Sequence, residues 1–111
     1  MKVLPFSEAD LKEVSHNPRI KKRVVLSKGE CGNISQLAQA VFPPGETAPA
    51  HSHKDMTEIF IVQSGRGIIR IDKTSHELKP DVCAVVEPNE AHEISNTGTN
   101  DLVITVIGIE A

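Results

Sequence analysis

Apolar and polar residues alternate in short runs along most of this chain, and turn-forming residues separate the runs. Val24-Val25-Leu26 reads as a first strand, followed by a turn over Gly29-Glu30-Cys31-Gly32-Asn33. Ile34 to Phe42 reads as a longer strand that Pro43-Pro44-Gly45 ends. Thr57 to Val62 is rich in β-branched residues and leads into the turn Ser64-Gly65-Arg66-Gly67. Ile68 to Ile71, Val82 to Val86, Ala91 to Asn96 and Leu102 to Ile109 continue the series, with Gly, Pro, Asn and Asp between them. One stretch reads as helical. Ser7 caps a segment running to Ser15, Asp10 follows three residues on, and Leu11 and Val14 share a face. His16-Asn17-Pro18 stops it, because the residue before a proline is pushed out of the α region. Short strands at regular spacing, with no βαβ rhythm and no internal repeat, predict an all-β sandwich or closed barrel with a short N-terminal helix.

The 111 residues suffice for one domain, taken as 1–111, with a modest core. Apolar content of 39% and charged content of 24% are those of an ordered globular chain, which excludes a disordered one. Tyrosine and tryptophan are absent, so the core is built mainly from Val, Ile, Leu and Ala. No apolar run has the length of a membrane span, and Met1-Lys2-Val3-Leu4-Pro5 turns polar too soon for an export signal. With Cys31 and Cys83 as the only cysteines, the expectation is a cytoplasmic, reducing setting and no membrane partner. A net charge of −3 argues against nucleic acid as a partner. The basic residues Arg19, Lys21, Lys22, Arg23 and Lys28 read as the solvated face of an early edge strand.

Four residues carry candidate chemistry. His51 and His53 stand one residue apart, Glu58 follows, and His92 comes later. Imidazole and carboxylate are the side chains that hold a divalent metal. On a strand, residues i and i+2 share a face about 6.5 to 7 Å apart, so His51 and His53 face inward together or not at all. Glu58 opens the next strand, and its parity puts Phe60 and Val62 on the same face. His92 arrives from a separate hairpin, with Ile94 and Asn96 sharing its parity. The remaining histidines, His16 and His76, read as surface residues. Cys83 reads as a small buried hydrophobe and Cys31 as an exposed thiol.

Gly45, His51, His53, Glu58 and Gly65 match G-x5-H-x-H-x4-E-x6-G without a gap. His92 and Asn96 match the end of G-x5-P-x-G-x2-H-x3-N, in which Asp81, Glu87 and Asn89 replace glycine, proline and glycine. These are the two motifs of the cupin superfamily, which the chain resembles from about Lys22 to Ile109. Aspartate and asparagine tolerate the left-handed turn conformation, so two of the departures keep the turn chemistry. Glu87 places an acid where the family has a neutral residue at the pocket rim.

The resemblance implies a double-stranded β-helix, or jelly-roll barrel, with a core over 22–109. It implies one divalent transition metal per chain (iron, manganese, nickel or zinc) held by His51, His53, Glu58 and His92. It also implies a homodimer and a small-molecule ligand or substrate. Metal cupins that resemble this chain include dioxygenases, decarboxylases of small organic acids, and isomerases. The alternative is a metal-holding barrel that binds or senses a small ligand without turnover. The catalytic residues are left open: Glu46, Arg66, Arg70 and Glu87 are polar, but each reads as a solvated surface residue. Metal-free sugar chemistry, known in some cupin relatives, usually wants a tyrosine or a histidine-aspartate pair, and the chain lacks tyrosine.

Overall fold

The computed structural model describes residues 1–14 and 16–111. Ten strands follow in order: β1 (Asp10–Val14), β2 (Asn17–Cys31), β3 (Ile34–Phe42), β4 (Thr47–His51), β5 (Met56–Ser64), β6 (Gly67–Ile71), β7 (Thr74–Leu78), β8 (Cys83–Val86), β9 (His92–Asn96) and β10 (Leu102–Glu110). They form two antiparallel sheets. The larger has the order β1-β2-β3-β10-β5-β8, and the smaller the order β4-β9-β6-β7. The chain passes repeatedly from one sheet to the other, as in a jelly roll.

Alternation decides what lies between the sheets. In β5 the buried residues are Glu58, Phe60 and Val62, and in β9 they are His92, Ile94 and Asn96. Both sets are those expected from strand parity. Ile20, Phe42, Ile69 and Ile104 join Phe60, Val62 and Ile94 in one cluster, so the core is aliphatic with two phenylalanines in it.

The segment expected to be helical over Ser7 to Ser15 differs in extent and kind. Phe6–Glu8 form one 3-10 turn, Asp10–Val14 form β1, and Ser15 lies outside the described residues. Nine residues are too few for a helix to hold without packing. The alternative gives Asp10 to Glu13 a ladder of partners from Val24 to Lys21. The sheet therefore begins at Asp10, ahead of Lys22. It also means that β1, not β2, is the edge strand. Strand β2 runs on to Cys31, and the expected five-residue turn contracts to Gly32-Asn33.

Strand β8, which carries Cys83, pairs with β5 alone and ends the larger sheet. Cys83 and Val85 face solvent while Val86 is buried. Cys83 is thus an exposed thiol rather than a core residue, and so is Cys31. No helix is long and apolar enough to cross a membrane among the described residues.

Candidate metal centre

A bulge sets the direction of His51. Strand β4 pairs with β9 at Ala48↔Ile94 and again at His51↔His92, so three steps on one strand answer two on the other. Ala48 is buried, and strict alternation from it would turn His51 outward. The extra residue reverses the parity and brings His51 beside His92, with ring centroids 4.3 Å apart.

His53 lies past the end of β4, not on it. Its position depends on the turn between β8 and β9, where the backbone N–H of Asn89 donates to the His53 carbonyl at 2.6 Å. Asn89 has φ of 70° and Asp81 has φ of 75°. Both residues that replace motif glycines therefore adopt the left-handed conformation expected of them. Gly45 and Gly65, which frame the first motif, also have positive φ. At Gly65 the reason is doubled, because a Cβ there would overlap the carbonyl oxygen of Asp101.

The four expected residues do come together. One donor atom from each of His51, His53, Glu58 and His92 lies within 4.8 Å of the others. Glu58 and His92 are buried, His53 is half-buried and His51 is exposed. Oε1 of Glu58 stands 3.1 Å from Nε2 of His53 and 3.1 Å from Nε2 of His92. That is about the spacing of neighbouring donors around one ion with bonds of about 2.0 to 2.2 Å. The outer nitrogens are anchored: Nδ1 of His51 meets the Pro49 carbonyl at 2.9 Å and Nδ1 of His92 meets the Glu90 carbonyl at 3.2 Å. A carbonyl oxygen only accepts, so in the neutral rings each Nδ1 carries the proton and each Nε2 keeps its lone pair. Lone pairs converging on a carboxylate oxygen require a proton or a metal ion among them.

Charge in the cluster agrees with this. Burial pushes the Glu58 carboxyl up, but the His92 hydrogen bond and the positive charge of the imidazoles outweigh it, and the group is held below its ordinary value. Burial pulls the His92 imidazole down, but its bonds to Glu58 and to the Glu90 carbonyl outweigh that, and it is held above its ordinary value. Asn96, the last motif residue, is a clamp and not a member of the cluster. Its Nδ2 donates to the carbonyls of Phe42 and Asn100 at 2.8 and 2.9 Å, and its Oδ1 accepts from Gly98 N–H at 2.8 Å.

Residues 38–108 match the family model described as a cupin domain, Cupin_2. The chain belongs to the cupin family. Over 106 residues it is 30% identical to an uncharacterized protein of Methanocaldococcus jannaschii, covering 93% of this chain and 77% of that one. Its fold is similar to that of a protein from Thermotoga maritima named a predicted oxalate decarboxylase, with a TM-score of 0.90 at 23% identity over 99% of this chain and 100% of the other. A cupin 2 conserved barrel domain protein from Salinispora arenicola superposes with a TM-score of 0.80 at 17% identity, covering 100% and 90% of the two chains.

In this cupin the cluster lines a cavity of about 380 Å³, walled also by Phe42, Phe60, Ile94, Ile104 and Val106. Two polar residues stand in the wall: Gln36, which carries no motif, and Lys22, whose reading as part of a solvated edge strand the structure corrects. Lys22 and Gln36 both line the cavity, and Lys22 Nζ donates to Gln36 Oε1 at 3.0 Å. Burial pushes the Lys22 ammonium down from its ordinary value, and the Glu58 carboxylate partly restores it. The signal for Lys22 was present, since it shares strand parity with buried Ile20 and Val24. The basic stretch around it masked that parity. His16, read as a surface residue, is exposed yet contributes to the cavity mouth. Glu87 is exposed and is not part of this wall, so the acid expected at the rim stands away from it. Arg66, Arg70 and Glu46 instead form ion pairs with Glu77, Glu93 and Arg19, outside the cavity.

Proposed function

We propose that this cupin holds one divalent transition metal and acts as an enzyme on a small organic molecule that chelates it, in the dioxygenase, decarboxylase or isomerase class. One observation carries the reading: three imidazoles and one carboxylate offer donor atoms within 4.8 Å of one another, with two of the rings anchored through Nδ1 to backbone carbonyls. The donor set of neutral nitrogens and one carboxylate fits iron, manganese, nickel or zinc. The ion, when bound, supplies Lewis acidity and a template for a chelating substrate.

The chain's own residues do the rest. Glu58 brings one negative charge to the cluster. Phe42, Phe60, Ile94 and Ile104 keep the inner wall apolar, which strengthens every charge interaction inside it. Lys22 and Gln36 bring a cation and an amide to the same cavity. This polar pair favours an enzyme over a closed, purely apolar binding barrel, because a reacting ligand needs a charged or hydrogen-bonding group in reach. The name of the Thermotoga maritima relative, a predicted oxalate decarboxylase, points toward acid substrates.

The test is the metal content of untagged protein purified without added metal, read by elemental mass spectrometry. One equivalent of iron, manganese, nickel or zinc is the expected result. His51→Ala and His92→Ala should each lose it while keeping the folded barrel by circular dichroism. Absence of metal, even after reconstitution with each ion, would overturn the reading.

A further inference from the structure

The basic stretch on β2 divides by strand parity. Arg19 and Lys21 face outward and pair with Glu46 and Glu13, Lys28 pairs with Glu110, and Arg23 donates to the Ala9 carbonyl. Lys22 faces the cavity instead. Its partner there is a neutral amide, Gln36, and among the described residues no carboxylate comes within 4 Å of its ammonium. A partly buried cation without a counter-ion is costly, and an anion that meets it in a low-dielectric cavity recovers that cost.

Charge across the cavity indicates which anion. Glu58 contributes −1, a divalent ion in the cluster +2 and Lys22 +1, so the loaded cavity carries +2. Much of the remaining lining is apolar: Ala40, Phe42, Phe60, Ile104 and Val106. The volume of about 380 Å³ falls within the range of small-molecule sites and leaves room for a small organic acid.

We propose that Lys22, positioned by Gln36, is the specificity-determining residue of this cavity, and that the ligand is a small aliphatic dianion with an acidic group at each end. One acid group faces the metal cluster, the apolar walls cover the carbon chain, and the Lys22 ammonium takes the second acid group. This rests on the proposed metal centre for the first end and on Lys22 alone for the second.

The experiment compares dicarboxylates with monocarboxylates of equal carbon number: malonate with propionate, succinate with butyrate, glutarate with valerate. Each is titrated by calorimetry into protein reconstituted with one equivalent of nickel. At least one diacid should bind roughly ten- to hundredfold more tightly than its monoacid. Lys22→Met should bring that ratio to within about threefold, Lys22→Arg should retain most of it, and nickel content should stay at one per chain in all three proteins. Equal affinity of diacid and monoacid in the wild type, no binding of any diacid, or an unchanged ratio in Lys22→Met would overturn the proposal.

Metal content separates the two readings. If the wild type takes up no nickel, the metal centre falls. The role of Lys22 is then decided on metal-free protein by whether a diacid, and not its monoacid, shifts the 13Cε resonance of Lys22. A diacid-specific shift supports it and none overturns it.

Discussion

Nε2 of His92 lies 3.1 Å from Oε1 of Glu58, and both side chains are buried. A buried carboxylate and a buried imidazole each resist charging alone, but together they stabilise their charged forms. The pair therefore leaves a pH signature in metal-free protein. His92 is raised from 6.5, so its contribution to stability is complete below about pH 6.5 and is lost as pH rises through the folded value. Glu58 is lowered from 4.5, so its contribution is complete above about pH 4.5 and is lost as pH falls through the folded value. Thermal melts of metal-free wild type and Glu58→Gln should differ most between about pH 4.5 and 6.5. A difference that keeps growing above neutrality would contradict the pairing.

Gly65 and Gly45 both have positive φ, but they should not respond alike to substitution. A Cβ at Gly65 runs into the Asp101 backbone, whereas at Gly45 it meets nothing within 4 Å. Gly45→Ala should cost about 1 kcal/mol of backbone strain, and Gly65→Ala more than about 2 kcal/mol from strain plus overlap. Urea unfolding of the two variants reads the difference, and equal costs would show that overlap is relieved elsewhere.

Asn96 ties the end of β9 to the end of β3 and to the following turn through its three side-chain hydrogen bonds. Asn96→Ala strands the Phe42 and Asn100 carbonyls and the Gly98 N–H, at a cost of about 2–4 kcal/mol. Because the residue stands outside the donor cluster, the variant should still take up one equivalent of metal. Loss of metal from a fully folded Asn96→Ala protein would place it in the site after all.

Asn89 accepts φ of 70° where a motif glycine usually stands, and its N–H holds the His53 carbonyl. Asn89→Gly should leave stability unchanged or slightly higher, since glycine enters this region freely. Asn89→Ala should lose about 1 kcal/mol. Chemical denaturation of both distinguishes a conformational requirement from a side-chain one: equal losses would mean that the Asn89 side chain, not its φ, is what the turn needs.

Much of this was legible in the order of residues. A period of two fixed which side chains share a face, so Phe60 and Val62 follow Glu58 inward, and Ile94 and Asn96 follow His92. Turn chemistry foretold left-handed backbone at Asp81 and Asn89. The motif spacing named the four residues that the fold collects into one cluster. Local pattern suffices there because alternation and turn preference are properties of neighbouring residues. What the pattern could not decide was which face is inside and which neighbour covers it. That choice belongs to strand pairing between distant segments. Strand β1 shields β2 and turns a supposed edge into an interior strand with Lys22 toward the cavity. The bulge against β9 reverses the parity of β4 and turns His51 inward, and the backbone of Asn89 fixes His53 beyond the strand's end. The β1 pairing joins neighbours along the chain, but the bulge and the Asn89 contact depend on partners tens of residues away, so only the assembled barrel determines them.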